Sequence, residues 1–168
     1  MASRNLHDLV PSVATKAKQI VWLCAEYKVD LLIYCTYRTV EEQARLYRNG
    51  RSLPAIRKKA MELERTYGRK DLAEILMDVG PQYGDRIVTW AGPGQSMHNY
   101  RLAFDAVPIV DGKLQWAIDA TEWRVYGRAC KEVGLEWAGT WVLNKREFPH
   151  AQDVGVSWKD LIEDFDHA

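Results

Sequence analysis

The order of apolar patterns along the chain predicts an α+β domain, with helices early, then a small antiparallel sheet, and a helix near the end. Three observations carry this. Up to Gly80 the chain is dominated by stripes of helical period with capping residues at their starts. Leu102 to Val110 alternates as a strand does and runs into Asp111-Gly112, a two-residue hairpin signal. Thr121 to Val133 then returns to helical spacing and stops at Gly134.

Taken in order, Val13, Ala17, Ile20 and Cys24 recur on one helical face behind Pro11-Ser12, and that helix ends near Tyr27. Leu31 to Cys35 is a short apolar run of strand character. Thr39 followed by Glu42 is a capping box and Gly50 a stop, so Val40 to Asn49 is predicted helical. Ser52 and Pro54 open a helix to about Tyr67 with Gly68 beyond, and Asp71 to Val79 forms a shorter one before Gly80. Arg86 to Trp90 reads as a strand, after which Gly92-Pro93-Gly94 forces a turn. The hairpin from Asp111-Gly112 closes onto Lys113 to Trp116. Leu135-Glu136-Trp137 and the residues from His150 to Val154 supply the last strands, and Ser157 with Asp160 caps a short C-terminal helix. Of the seven tryptophans, Trp22, Trp116 and Trp123 occupy apolar periodic contexts and are expected in the core. Trp137 and Trp141 are expected to line a groove.

Length and composition set bounds. The 168 residues are read as a single domain, 1–168, large enough to bury a core without staples. Lys plus Arg equals Asp plus Glu at 23 each, so no bulk field draws nucleic acid and no nucleic-acid partner is expected. The basic run Arg57-Lys58-Lys59 is followed by Glu62 and Glu64, the pattern of a solvated helix face. Cys24, Cys35 and Cys130 form no Cys-x-x-Cys unit and are read as buried free thiols. No apolar run approaches a membrane span, so no stable membrane insertion is expected. With no signal segment visible, synthesis in a cytoplasm is expected.

The chemistry concentrates in two places. Ser96-Met97-His98-Asn99-Tyr100-Arg101-Leu102-Ala103-Phe104-Asp105 offers a histidine and an aspartate seven residues apart. Glu147-Phe148-Pro149-His150 offers a second histidine, with a carboxylate three residues before it. Two imidazoles, one carboxylate and a water make the tetrahedral set that zinc accepts, and a further carboxylate is the base that a hydrolytic site requires. Two histidines suit magnesium or calcium less well. Each residue also has a plain structural use: a histidine on an apolar strand satisfied in the core, an aspartate that caps or turns. Spacing alone leaves both readings open.

The first segment resembles the Ser-x-His-x-x-Gly-x-Ala-x-Asp signature of the zinc peptidases that include D-alanyl-D-alanine carboxypeptidases and phage L-alanyl-D-glutamate endopeptidases, matching at Ser96, His98, Ala103 and Asp105. The second resembles that family's acidic residue followed by Pro-His. A third stretch, Tyr37-Arg38-Thr39-Val40-Glu41-Glu42-Gln43, resembles its Tyr-Arg-Ser-x-Glu-Glu-Gln block, and Gly134-Leu135-Glu136-Trp137 adds further agreement. The resemblance runs in the family's order from about residue 3 to about residue 155, and three separated motifs make it specific. It implies the family's zinc-site fold, that of the Hedgehog and D-Ala-D-Ala peptidases, with Zn2+ held by His98, Asp105 and His150. It implies Glu147 as general base and Arg38 at the substrate, where a guanidinium suits a carboxylate or a developing oxyanion. The plain alternative for Arg38 is an ion pair with Glu41 or Glu42. Gln43, Ser96 and Trp141 are carried as substrate-side residues, the first two also as supports for the site.

Two departures stand out. Arg101 occupies the position of the family's glycine, so it is either strained there or projects into the substrate groove. Thr140 stands where relatives often carry Asp. Residues of about 51–86 form a helical insertion relative to the shortest members; it either covers the cleft or packs on the side of the domain, and packing is expected. The resemblance implies an endolysin that cleaves the L-alanyl-D-glutamate bond of peptidoglycan stem peptides. Such an enzyme is monomeric, is released through a pore-forming holin and acts on the periplasmic wall. Alternatives are a D-alanyl-D-alanine carboxypeptidase or dipeptidase, and a metal-stabilised peptidoglycan-binding domain without catalysis.

Overall fold

In the computed structural model, residues 2–80 and 84–166 are described. The elements begin with α1 (Pro11–Glu26), β1 (Asp30–Cys35), α2 (Val40–Arg48), α3 (Leu53–Tyr67) and α4 (Lys70–Asp78). They continue with β2 (Ala103–Val110), β3 (Lys113–Leu114), α5 (Thr121–Glu132), β4 (Glu136–Trp137), β5 (His150–Gln152) and α6 (Trp158–Leu161). This is the α+β class that the patterns predict. The chain forms two compact units. One comprises Ser3–Tyr37 and Arg101–Gly155; the other comprises Arg38–Tyr100 with Ala2 and the residues from Val156 onward.

The first unit is built on an antiparallel sheet in the order β1-β2-β5-β4, with β3 pairing the far end of β2. Asp111 and Gly112 both have positive φ, 49° and 72°, as the two-residue turn between β2 and β3 demands. The α1 stripe of Val13, Ala17, Ile20 and Cys24 is buried as its spacing predicts, and it packs with Phe104, Val107, Trp123 and Tyr126 in one core. All three cysteines are buried free thiols, and burial pushes Cys24 up to about 12. Two tryptophan expectations fail. Trp123 is 1% exposed, but Trp22 is 61% and Trp116 53% exposed. Trp22 lies off the buried α1 stripe, and Trp116 follows the short β3, where its ring meets Tyr34 edge-on at 6.0 Å.

The second unit packs α2, α3, α4 and α6 around Val40, Ala44, Ile56, Leu63, Leu72, Leu76 and Ile162. Thr39 Oγ1 accepts the Glu42 N–H at the start of α2, and Ser157 with Asp160 forms a complete capping box on α6. Gly68 ends α3 in the left-handed region at φ 68°. Buried Arg48 donates to the carbonyls of Leu76 and Met77 and so closes the end of α4.

The predicted strand at Arg86–Trp90 is absent: this stretch has no regular structure. Its carbonyl groups find side-chain donors instead of a ladder. Arg51 donates to Thr89 O, and Gln43 Nε2 to the neighbouring Ala91 O at 2.7 Å. A Cβ on Gly50 would lie 2.5 Å from the Arg86 carbonyl carbon, so glycine there admits the close backbone approach. Ile87, Val88 and Trp90 are left exposed.

Candidate metal centre

Asp105 and His150 are directly opposed across β2 and β5, and Cys35 is opposed to Asp105 across β1 and β2. Opposed residues of an antiparallel pair share a face, so thiol, carboxylate and imidazole form one row over three strands. A register irregularity between Ile33 and Cys35 sets that last pairing. The motifs do not single out Cys35; only strand register gives it this position.

Asp105 and His150 are both buried, with Asp105 Oδ1 and His150 Nδ1 3.2 Å apart. Burial draws the imidazole pKa down, but the hydrogen bond and charge of Asp105, together with the charge of Glu147, hold it above its ordinary value. Two ligands of a tetrahedral zinc at about 2.0–2.2 Å from the ion lie roughly 3.4 Å apart. The pair therefore has the donor chemistry and the spacing of two zinc ligands.

The core holds this histidine from behind. Trp137 Nε1 donates to Phe148 O at 2.6 Å, while the Tyr126 hydroxyl and the Ala106 N–H both donate to Pro149 O at 3.0 Å. Two glycines grip the Trp137 ring: a Cβ at Gly127 or Gly139 would fall 2.2 or 2.1 Å from it. Trp137 is thus a packing pillar rather than a groove residue, which corrects its expected role. Trp141 is half-buried, with its ring 5.6 Å from that of His150. On the far side of the imidazole, Nε2 meets Gln152 Oε1 at 3.0 Å, and Gln152 Nε2 donates to Glu136 at 2.9 Å.

Glu147 is exposed, and its backbone is tied at both ends: its N–H donates to Ala138 O and its carbonyl accepts from the His150 N–H. Thr140 Oγ1 donates to Trp137 O and steadies the adjoining turn. Arg101 has φ 63°, so it occupies the left-handed conformation that suits glycine, as the departure at this position predicts. It is exposed, and its guanidinium lies 4.6 Å over the Tyr37 ring.

His98, Arg38, Gln43 and Ser96 belong to the helical unit. His98 is buried on the 3-10 turn Met97–Tyr100, and its carbonyl accepts the Arg38 N–H. Arg38 Nη1 donates to Gln43 Oε1 at 2.8 Å. With Gln43 Nε2 bound to Ala91 O, both ends of that amide are engaged, as befits a support. Ser96 is half-buried, and its carbonyl accepts the Asn99 N–H. Asn99, which the motifs also pass over, is buried; it donates to Arg38 O at 2.8 Å and accepts the Gly94 N–H at 3.0 Å.

The chain is similar to several known peptidases. Residues 90–153 match the peptidase family model described as D-alanyl-D-alanine carboxypeptidase. Peptidoglycan L-alanyl-D-glutamate endopeptidase CwlK of Bacillus subtilis is 28% identical over 155 residues, covering 88% of this chain and 74% of that protein. Among solved structures, Serratia marcescens L-Ala D-Glu endopeptidase ChiX aligns at 19% identity and a TM-score of 0.46, over 92% of this chain and 89% of that one. The vancomycin resistance D,D-pentapeptidase VanY from a VanB-type cassette, solved with Zn(II), aligns at 17% identity and 0.49, over 94% and 79%. The matched segment carries His98, Asp105, Glu147 and His150 together, and over that segment the chain is similar to the D-alanyl-D-alanine carboxypeptidase family.

Proposed function

We propose that the chain is a zinc-dependent peptidoglycan hydrolase that cleaves the L-alanyl-D-glutamate bond of the stem peptide, in the manner of a phage endolysin. The observation that carries this reading is a buried carboxylate–imidazole pair, Asp105 and His150, with the exposed carboxylate of Glu147 three residues before the histidine. A domain that only bound the wall has no use for that extra carboxylate. The endopeptidase activity in the name of the Bacillus relative supports the choice of bond. In this reading His98 completes the ligand set. The lytic setting belongs to the same proposal: synthesis in a host cytoplasm, release through a holin pore and action on the periplasmic wall as a monomer.

When bound, zinc supplies Lewis acidity toward the amide carbonyl and lowers the pKa of water toward about 7. The other roles fall to side chains. Asp105 and His150, opposed across β2 and β5, would hold the ion. Glu147, open to solvent at a tethered loop end, removes the proton from the attacking water and returns it to the departing amine. Arg38, oriented by Gln43, holds a substrate carboxylate with its planar donor fork. Water adds across one C–N bond and no covalent enzyme intermediate forms.

The test is digestion of purified peptidoglycan with and without chelator and added zinc, with new termini identified by mass spectrometry. Zinc-dependent appearance of amino-terminal D-Glu is the expected result. Release of D-Ala instead assigns the carboxypeptidase reaction named by the matched family model. Absence of any zinc-dependent product sinks both.

A further inference from the structure

We propose that Gln152, oriented by Glu136, is a positioning residue that sets the tautomer of His150. This deepens the hydrolase reading and rests on it, since it takes His150 as a metal ligand. Gln152 lies two residues beyond His150 on β5, and Glu136 is its register partner on β4. With Asp105 opposite His150, the four side chains share one face of the sheet.

The argument follows the donors and acceptors along that row. A carboxylate only accepts, so the Gln152 amide must turn its NH2 toward Glu136, the contact seen at 2.9 Å. Its carbonyl oxygen then faces His150 Nε2 at 3.0 Å, and an amide oxygen also only accepts. Nε2 must therefore carry hydrogen. Nδ1 faces the Asp105 carboxylate 3.2 Å away, where it shares a proton when no metal is bound and offers its lone pair once that proton leaves. Two electron-pair donors facing each other repel unless a cation stands between them. A divalent metal meets that need, and only this tautomer offers it Nδ1. The Glu136 charge, relayed through the amide, also strengthens the imidazole as a ligand.

The experiment uses the full chain, labelled with 15N-histidine and loaded with zinc. Its His150 Nε2 is expected to give the signal of a protonated ring nitrogen and its Nδ1 that of a metal-bound one; the reverse assignment overturns the proposal. Zinc affinity is then read by chelator competition. Gln152→Leu is expected to weaken binding about 10–100-fold while the metal-free protein still melts cooperatively. The exchanged double variant, Glu136→Gln with Gln152→Glu, rebuilds the row of acceptors and is expected to recover most of that loss. Unchanged affinity in Gln152→Leu, or no recovery in the exchanged variant, overturns the assignment. Zinc-loaded protein with the expected tautomer that cleaves no peptidoglycan would sink the hydrolase reading and leave the tautomer assignment standing.

Discussion

The sheet unit and the helical unit place their polar side chains by different means. In the sheet unit, Asp105 and His150 face each other because β2 and β5 are in register, and the carbonyls before His150 are held by Trp137 and Tyr126. In the helical unit, Arg38, Gln43 and His98 are placed by hydrogen bonds between side chains and loop backbone, with Asn99 and Gln43 as the connecting amides. The first arrangement depends on volume. It tolerates little change in the shape of the aromatic core but does not hinge on one polar atom. The second depends on donors and acceptors, so loss of a single amide leaves buried backbone groups without partners.

The largest expected effect falls on a residue that neither scaffold buries. Glu147→Gln should lower peptidoglycan turnover by about 10²–10⁴-fold while metal content and melting temperature stay as in wild type. A fall in melting temperature would show Glu147 to be part of the scaffold. Next is Gly139→Ala, whose added methyl strikes the Trp137 ring. Urea unfolding should register a loss of about 3 kcal/mol, and a loss under about 1 kcal/mol would mean the pillar yields easily. The matching variant in the helical unit is Asn99→Ala, with an expected cost of about 2 kcal/mol by the same measurement. Near-zero cost there would remove the contrast between the units.

The pH dependence is smaller and belongs to the sheet unit. His150 has its pKa raised on folding: burial pulls it down, but Asp105 and Glu147 prevail. Its contribution in the metal-free protein is fully present below the unfolded value of about 6.5 and is lost as pH rises through the higher folded value. Thermal unfolding of the metal-free protein should show that decline. Zinc affinity should move the other way, rising with pH because the ligand must be neutral. Parallel trends would contradict the ligand role. The smallest effect is expected for Arg101→Gly. Relief of the left-handed strain, about 1–2 kcal/mol, is offset by the flexibility of glycine and by loss of the contact over Tyr37. A net change beyond about 1 kcal/mol would mean that one of these contributions is misjudged.

Local signals carried the helices well. The N-cap at Thr39, the box from Ser157 to Asp160 and the left-handed Gly68 act within a few residues, so they are legible before any tertiary contact is known. Arg86–Trp90 was misleading because β-branched and aromatic residues describe a strand that needs a partner, and Arg51 and Gln43 took the backbone carbonyls instead. Trp22 and Trp116 had apolar neighbours in sequence but no facing layer in the fold. The places of Cys35, Gln152, Glu136 and Asn99 beside the polar residues are not legible in sequence for a related reason. Each is an ordinary residue whose meaning comes from what lies opposite or beyond it.

By itself, then, the amino-acid order determined the class of fold, the helix limits and the side chains that are candidates for metal binding or proton transfer. These depend on side-chain chemistry and on spacings of a few residues. Only the tertiary structure decided which nitrogen of His150 faces Asp105, which amide supports it, and that Trp137 is a pillar between two glycines. Those outcomes depend on strand register and close packing, which join residues far apart in the chain and leave no local periodicity to read.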